Sequence, residues 1–180
     1  MMNSPCAISG SELSSVCLER MQTIPLTQGF EAIVDDEDFV IVCQYKWYPY
    51  KVPYTVYAVA EVILNGRRKK VRMHRLIMDA KAGQIVDHRN HCGLDNRKKN
   101  LRFCSHSQNQ QNKRIEAVHR VSRYKGVSID NQKKNSWRAS IVHKGKWIYL
   151  GYFHDERKAA EAYNAAAIKY HGEFASLNFI

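Results

Sequence analysis

Long apolar runs are missing from this sequence, which contains no stretch of about 18 apolar residues, the length that crosses a bilayer. Residues 1–20 also lack a charged segment followed by an apolar core, so we expect no secretion signal. The cysteines number five, are widely spaced and include no CxxC pair. Such usage is typical of reduced thiols and argues against a disulfide framework. The chain is therefore expected to be neither a membrane protein nor a disulfide-stabilised secreted one.

Positive charge is almost absent from the first 40 residues and dense after them. Residues 1–40 hold one basic and seven acidic side chains, whereas residues 67–146 hold 22 basic and five acidic ones. The whole chain carries a formal net charge of +11. A basic region of this size predicts a polyanionic partner, and the lack of a basic amphipathic helix favours nucleic acid over a membrane surface.

The chain is long enough for two small folded domains. Hydrophobic residues make up 44% of it and aromatic residues 11%, which is typical of folded protein rather than of disorder. Because patterned sequence begins only near Met21, residues 1–22 are predicted to be a disordered extension. We expect a first domain over residues 23–114, a linker over 115–122 and a second domain over 123–180.

In the first domain, Asn65-Gly66 separates two runs of alternating hydrophobic and polar residues, Ala58–Leu64 and Lys69–His74. This pattern predicts a β-hairpin. A short helix is expected over Leu76–Ala80. The segment that follows predicts strand, loop, strand and helix in that order.

That segment has its strands at Gln84–Val86 and Leu101–Cys104 and its helix at Ser107–Lys113. Ser105, with Gln108 three residues later, predicts a capping box that begins this helix. The second domain predicts three antiparallel strands and one alanine-rich helix, at Gly126–Ile129, Trp137–Val142, Trp147–Leu150 and Asp155–His171.

One set of residues in the first domain indicates a catalytic site. Asp87-His88 is followed by Asn100 twelve residues beyond the histidine and by Asn109 nine residues further on. Phosphodiester hydrolysis needs a cation beside the phosphate, a base that takes a proton from water and a group that orients that base. Histidine is the natural base near neutral pH, and carboxylate and amide oxygens bind hard cations.

These residues resemble the HNH endonucleases of the homing and phage-encoded kind. They match the HNN variant, in which asparagine replaces the histidine at the third position of the motif. The resemblance spans about residues 24–114 and is carried by VDDEDF at Val34–Phe39, MHRLI at Met73–Ile77, VDH at Val86–His88, DN at Asp95-Asn96, NLR at Asn100–Arg102 and Asn109. It implies a ββα-metal fold in which His88 is the general base and Asn100 its orienting partner. Asp87 and Asn109 would bind one divalent ion, Mg²⁺ or Mn²⁺, and cleavage would leave 5′-phosphate and 3′-hydroxyl ends.

Zinc is the alternative for the same region, since His88, His91, Cys92, Cys104 and His106 could supply tetrahedral ligands. The lack of a CxxC pair argues against it, because His91 and Cys92 are neighbours that do not easily converge on one ion. Cys92 and Cys104 are therefore interpreted as packing residues. His74 is interpreted as a structural side chain.

The stretch from Arg123 to Phe179 is similar to the DNA-binding domain of plant APETALA and ethylene-response factors. The matching pieces are YKGV at Tyr124–Val127, WRASI at Trp137–Ile141, YLGYF at Tyr149–Phe153, AAEAYNAAA at Ala159–Ala167 and LNF at Leu177–Phe179. The resemblance implies a sheet that lies in the major groove with the helix behind it. Ser128, Val142 and Trp147 stand where the plant proteins place arginines, so no plant target sequence is carried over.

Two sets of residues are predicted to contact DNA. The first set flanks the hairpin and comprises Arg67, Arg68, Lys69, Lys70, Arg72 and Arg75. The alternative is that these charges protect the edge of the sheet from pairing with another strand. The second lies on the outward face of the second domain, opposite the inward Trp137, Ala139 and Ile141. It comprises Lys125, Ser128, Arg138, Ser140, Lys144, Lys146, Trp147 and Tyr149, and core packing is the alternative for the last two.

The sequence thus predicts an α+β protein: a ββα-metal HNH domain followed by a three-stranded antiparallel sheet packed on one helix. The expected function is a sequence-directed, homing-type endonuclease that acts as a monomer on double-stranded DNA. It would work in the cytoplasm of a bacterial or phage-infected cell, or wherever its target DNA resides. The alternatives are a DNA-binding transcription regulator with an inactive nuclease domain, and an RNA-binding or structural zinc protein.

Overall fold

The computed structural model describes residues 20–64, 66–114, 121–129 and 136–180. Over these residues the chain forms ten strands in four antiparallel sheets, together with four α-helices. The mixed architecture agrees with the predicted class. No helix in these ranges has both the length and the apolar run needed to cross a membrane.

The fold begins earlier than predicted. Strand β1 (Met21–Pro25) pairs antiparallel with β2 (Glu31–Asp35), and Met21 lies opposite Asp35. Residues 21 and 22 therefore belong to this sheet and not to an extension; the rest of the predicted extension, apart from Arg20, lies outside the described residues. Helix α1 (Asp36–Val42) follows, and its first turn is entirely acidic, which suits the positive end of the helix dipole.

The predicted hairpin is confirmed within a three-stranded sheet of β3 (Tyr48–Val52), β4 (Thr55–Leu64) and β5 (Arg67–Arg72). The helix predicted over Leu76–Ala80 instead begins at Met73, as α2 (Met73–Ile77). Met73 and Ile77, four residues apart, bury one face of this helix together with His74, and that packing outweighs the strand-like alternation that precedes it.

Strands β6 (Ile85–His88) and β7 (Leu101–Cys104) form a two-stranded antiparallel sheet, and α3 (His106–Asn112) follows. The predicted capping box is present. Gln108 N donates to Ser105 Oγ at 3.2 Å, and Ser105 N donates to Gln108 Oε1 at 2.8 Å. The strand–loop–strand–helix prediction is therefore confirmed.

The C-terminal part contains β8 (Val127–Ile129), β9 (Trp137–His143) and β10 (Lys146–Phe153), with β9 in the centre, and helix α4 (Glu156–His171). Ala159, Ala160 and Ala167 are fully buried, so the helix backbone lies close against the sheet.

The buried hydrophobic residues of the described chain form one cluster between residues 24 and 101 and two further clusters between residues 124 and 175. We refer to residues 20–114 as the N-terminal unit and to residues 121–180 as the C-terminal unit. Ser122 is buried and donates to Glu156 Oε1 at 2.8 Å, so it packs with the C-terminal unit although it was predicted to lie in the linker. Residues 115–120 of that linker lie outside the described residues.

Candidate active site

Three of the four predicted site residues line one cavity of about 420 Å³. Asp87 and His88 end strand β6 and are only 8% and 5% exposed, and Asn109 projects from α3. The rim of the cavity is basic, since Arg72, Lys113 and Arg114 also line it. The carboxylate, the imidazole and the amide that the sequence singled out therefore share one positively bordered recess.

The Asp87 carboxylate is held by two residues that the sequence interpretation did not single out. Asp87 Oδ2 accepts hydrogen bonds from Arg102 Nε at 3.0 Å, from Arg102 Nη2 at 2.9 Å and from Asn112 Nδ2 at 2.9 Å. Asp87 Oδ1 accepts one, from Asn112 Nδ2 at 3.1 Å. Asn112 lies three residues after Asn109 on the same helix face, and that spacing could have indicated it.

His88 is buried and neutral near physiological pH. Burial lowers the pKa of His88, and the Asn96 hydrogen bond and the nearby carboxylates of Asp87 and Asp95 offset this only in part. Its Nε2 lies 3.4 Å from Asn96 Oδ1, and this contact favours the tautomer that carries the proton on Nε2. The Nδ1 atom is then left with its lone pair.

Asn100 acts on the loop rather than on the His88 ring. Its Nδ2 donates to Asp95 O at 2.7 Å, and its Oδ1 accepts from Asn90 N at 3.0 Å. Its own carbonyl oxygen accepts from Arg89 N at 2.9 Å. The ring contact that was predicted for Asn100 is made by fully buried Asn96, while Asn100 closes the loop that carries Asn96.

His74 is buried, as expected of a structural side chain, yet it also lines the cavity. Its ring meets the His88 ring edge to face, with 4.8 Å between centroids. Burial is the main reason that the pKa of His74 falls to about 2; proximity to His88 and to the positive charges of Arg72 and Arg75 lowers it further. The Tyr57 ring lies 5.4 Å from His74 and 5.8 Å from His88, so these rings form one wall of the cavity.

The donor set of the cavity suits a hard divalent cation. Asp87 and Asn109 offer carboxylate and amide oxygens, the ligands that Mg²⁺ and Mn²⁺ prefer. In the ranges that the structure describes, no three His, Cys, Asp or Glu side chains are grouped as ligands for zinc or for any other metal ion. The described residues thus give no support to the zinc alternative, and Cys92 and Cys104 are free thiols.

The basic residues of β5 are exposed, whereas the Arg75 side chain forms hydrogen bonds with the backbone. Arg67 to Lys70 are exposed along β5, and Arg72 lies over the Tyr57 ring at 5.3 Å. The Arg75 guanidinium donates to three backbone carbonyl oxygens, those of Gln84 at 2.5 Å, Lys81 at 2.8 Å and Ala80 at 3.2 Å. Arg75 thus closes the turn after α2, which argues against the phosphate contact predicted for it.

The sheet of the C-terminal unit has the predicted faces. Ala139 and Ile141 are buried towards α4, whereas Trp147 is 78% exposed and Tyr149 55% exposed, so core packing is excluded for these two. The outward set also includes exposed Arg138, Lys144 and Lys146 and half-buried Ser128 and Ser140.

Lys125 does not belong to this outward face. Its Nζ donates to Gln111 O and Lys113 O, both at 2.6 Å, at the end of α3. Burial lowers the pKa of Lys125 to about 8. The predicted DNA contact by Lys125 is replaced by a contact between the two units.

Comparisons with known proteins identify relatives of two kinds. No family model matches the sequence. An uncharacterized HNH endonuclease of Acanthamoeba polyphaga mimivirus is 33% identical over 159 residues, which cover 85% of this chain and 77% of the viral protein.

Plant relatives match only a part of the chain. A rice protein with AP2/ERF and B3 domains is 43% identical over 63 residues, 35% of this chain and 17% of the rice protein. An AP2-like ethylene-responsive transcription factor of Arabidopsis thaliana is 48% identical over 46 residues, 26% of this chain and 15% of its own length. Because the similarity to the viral protein extends over most of both chains, this protein belongs to the HNH endonuclease family.

Proposed function

We propose that this protein is a metal-dependent, homing-type endonuclease that cuts double-stranded DNA as a monomer and leaves 5′-phosphate and 3′-hydroxyl ends. The observation that carries the proposal is that Asp87, His88 and Asn109 line one cavity with a basic rim. Asp87 and Asn109 would hold one divalent ion, Mg²⁺ or Mn²⁺. When bound, such an ion supplies a Lewis acid that neutralises the phosphate and the leaving oxygen.

His88 is the general base in this proposal. A neutral imidazole with its proton on Nε2 accepts the proton of the attacking water at Nδ1. Asn96 favours that tautomer by accepting from Nε2. The rings of His74 and Tyr57 restrict the movement of His88 and exclude water from one side of it.

The basic rim supplies the first contacts to DNA. Arg72, Lys113 and Arg114 border the cavity and would bind the phosphates on either side of the cleaved bond. The exposed side chains of Arg67 to Lys70 extend this surface along β5. Phosphate contacts of this kind position a duplex without reading its sequence.

The C-terminal unit supplies the sequence-directed contacts. The plant matches have the size of this unit, whose three antiparallel strands and single packed helix fit an AP2/ERF-type domain over residues 123–180. Its outward face, with Arg138, Trp147 and Tyr149, would enter the major groove. Recognition would then be bipartite, with one contact surface on each unit.

One observation favours a second candidate, a DNA-binding transcription regulator whose nuclease domain is inactive. Asp87 Oδ2 already accepts three hydrogen bonds, two of them from the positively charged Arg102, and this charge opposes a cation. The endonuclease remains the better supported function, because Asp87 Oδ1 accepts a single hydrogen bond and Asn109 lies in the same cavity.

Because the proposed recognition is sequence-directed, a cleavage assay in Mg²⁺ on a plasmid library with random-sequence inserts separates the two candidates. Asp87→Ala and His88→Ala should abolish cleavage without weakening DNA binding, measured by gel shift in EDTA. Asp79→Ala and His106→Ala are matched controls at exposed positions and should cleave like the wild type. A wild type that binds DNA but leaves the plasmid intact would support the regulator and overturn the endonuclease.

A further inference from the structure

Arg102 contacts the active-site carboxylate and the C-terminal unit at the same time. It is buried on β7, opposite Asp87 in the register of the sheet. Its Nε and Nη2 donate to Asp87 Oδ2, while its Nη1 donates to Glu173 O at 2.5 Å. The Phe174 ring covers the guanidinium, with 3.8 Å from the guanidinium carbon to the ring centroid.

We propose that Arg102 is a positioning residue for Asp87, and that the Gly172–Phe174 turn of the C-terminal unit holds Arg102 in place. The C-terminal unit would then complete the nuclease site in addition to binding DNA. This inference rests on the proposed endonuclease function and adds a role for residues outside the HNH resemblance.

The contacts of Arg102 explain how the carboxylate is oriented. Both nitrogens that face Asp87 bind the same oxygen, Oδ2, and Asn112 fixes the carboxylate from the side of α3. Rotation of the Asp87 side chain would break these bonds. The orientation therefore leaves Oδ1 as the less engaged oxygen, available to a ligand in the cavity.

The support of Arg102 depends on Phe174 more than on the Glu173 side chain. Glu173 pairs with Arg89 at 2.6 Å, but both side chains are about half exposed, and such a pair contributes little to stability. Phe174 is buried and stacks on a buried cation, where the cation–π interaction is stronger.

A second contact between the two units holds helix α3, the other element of the candidate active site. Lys125 of the C-terminal unit donates to Gln111 O in the last turn of α3 and to the carbonyl oxygen of Lys113, the residue that follows the helix. Helix α3 carries Asn109 and Asn112. The C-terminal unit therefore contacts both the strand that holds Arg102 and the helix that supplies the amides.

The test uses the full chain with Phe174→Leu, Phe174→Tyr and Arg102→Lys, and with Phe179→Leu as a matched control at a residue that is 88% exposed. Three quantities are measured: Mn²⁺ affinity by electron paramagnetic resonance without DNA, DNA affinity in EDTA, and kcat and KM for cleavage. Phe174→Leu and Arg102→Lys should each weaken Mn²⁺ affinity and lower kcat by roughly 10–100-fold, as residues behind a metal ligand do.

DNA affinity and KM should stay within about twofold of the wild type, because neither residue lies on the proposed DNA surface. Phe174→Tyr, which keeps the ring, should recover most of the loss, and Phe179→Leu should show none. A role in stability alone would lower the melting temperature and leave Mn²⁺ affinity unchanged in the folded fraction, and that result overturns the inference.

The other outcomes are also decisive. If the wild type cleaves DNA and Phe174→Leu and Arg102→Lys match it in Mn²⁺ affinity and kcat, the inference fails and the endonuclease stands. If the wild type binds Mn²⁺ but does not cleave, the endonuclease fails and the Mn²⁺ affinities alone decide the inference. If it neither binds Mn²⁺ nor cleaves, both fail. If Phe174→Leu does not fold, the Mn²⁺ affinity and kcat of Arg102→Lys, compared with the wild type, decide the inference.

Discussion

The rings of His74 and His88 meet edge to face with 4.8 Å between their centroids, inside the cavity that also holds Asp87. Since His74 is 4% exposed and its pKa lies near 2, it is a neutral wall for His88 rather than a second base. The contact joins the MHRLI segment of α2 to the end of β6, and it predicts how the stability of the protein depends on pH.

Stability should fall as the pH falls below about 6.5, in part because of His74. The unfolded chain takes up a proton on His74 near pH 6.5, whereas the folded chain keeps it neutral to about pH 2, so acid favours the unfolded state. Between pH 7.5 and 5 this linkage costs about 2 kcal/mol of unfolding free energy. Urea unfolding at both pH values should show that His74→Phe loses about that much less than the wild type. Equal losses would contradict a buried, neutral His74.

The exposed hairpin should set part of the salt dependence of DNA binding. Replacing Arg68 and Lys70 together by glutamine should make the slope of log K against log salt less negative by about 0.9 for each phosphate that the variant no longer binds. Arg157 and Lys158 are exposed on α4, behind the sheet, and their replacement by glutamine is the matched control. Fluorescence anisotropy over a salt series measures the slopes, and equal slopes in both double variants would exclude the hairpin from the DNA surface.

Trp147 should matter for DNA binding and not for folding. Its side chain is 78% exposed on the outward face of β10, so Trp147→Ala removes little from the core. We expect DNA affinity to fall by about tenfold, as for a large aromatic residue inside an interface, with the melting temperature unchanged. Ile168→Ala, at a residue 60% exposed on α4, is the control and should alter neither quantity. An unchanged affinity for Trp147→Ala would place the DNA surface elsewhere.

The tight approach of α4 to the sheet gives a prediction about Gly126. Its φ is +74°, and a Cβ there would overlap the Tyr163 ring and approach the Ser140 carbonyl oxygen. Gly145 has nearly the same φ, +75°, with open space around it. Gly145→Ala should therefore cost only the backbone strain, about 1 kcal/mol, and Gly126→Ala should cost at least 1–3 kcal/mol more by roughly the scale of core overpacking. Chemical denaturation of the two variants measures the difference, and equal losses would contradict the packing of Tyr163.

Local patterns in the sequence were sufficient for most elements of the fold. Ser105 and Gln108 specify the start of α3 because their hydrogen bonds join residues three apart, and an Asn-Gly pair between two alternating runs is a local signal for a hairpin. The alternation in β9 correctly separated inward Ala139 from outward Arg138. Helix α2 was misplaced because its first residue, Met73, is set by burial against distant strands and not by its neighbours.

The residues that hold the site depended on the tertiary structure. Basic residues look alike in a sequence, and only the fold shows that Arg72 borders the cavity, that Arg75 binds the carbonyl groups of a turn, and that Lys125 reaches the end of α3. Likewise, Asn96 and Asn100 lie four residues apart in an asparagine-rich loop, and the path of that loop decides which of them contacts His88.

By itself, the sequence determined the chemistry of this protein: a carboxylate, an imidazole and amides at fixed spacing, within a strongly basic chain. The spacing of these residues along the segment of β6, β7 and α3 is local information. The motif and the elements that carry it could therefore be predicted together. The tertiary structure alone decided which partners orient those groups, because Arg102 and Asn112 bind Asp87, and Phe174 stacks on Arg102, only after the strands, α3 and the C-terminal unit have packed.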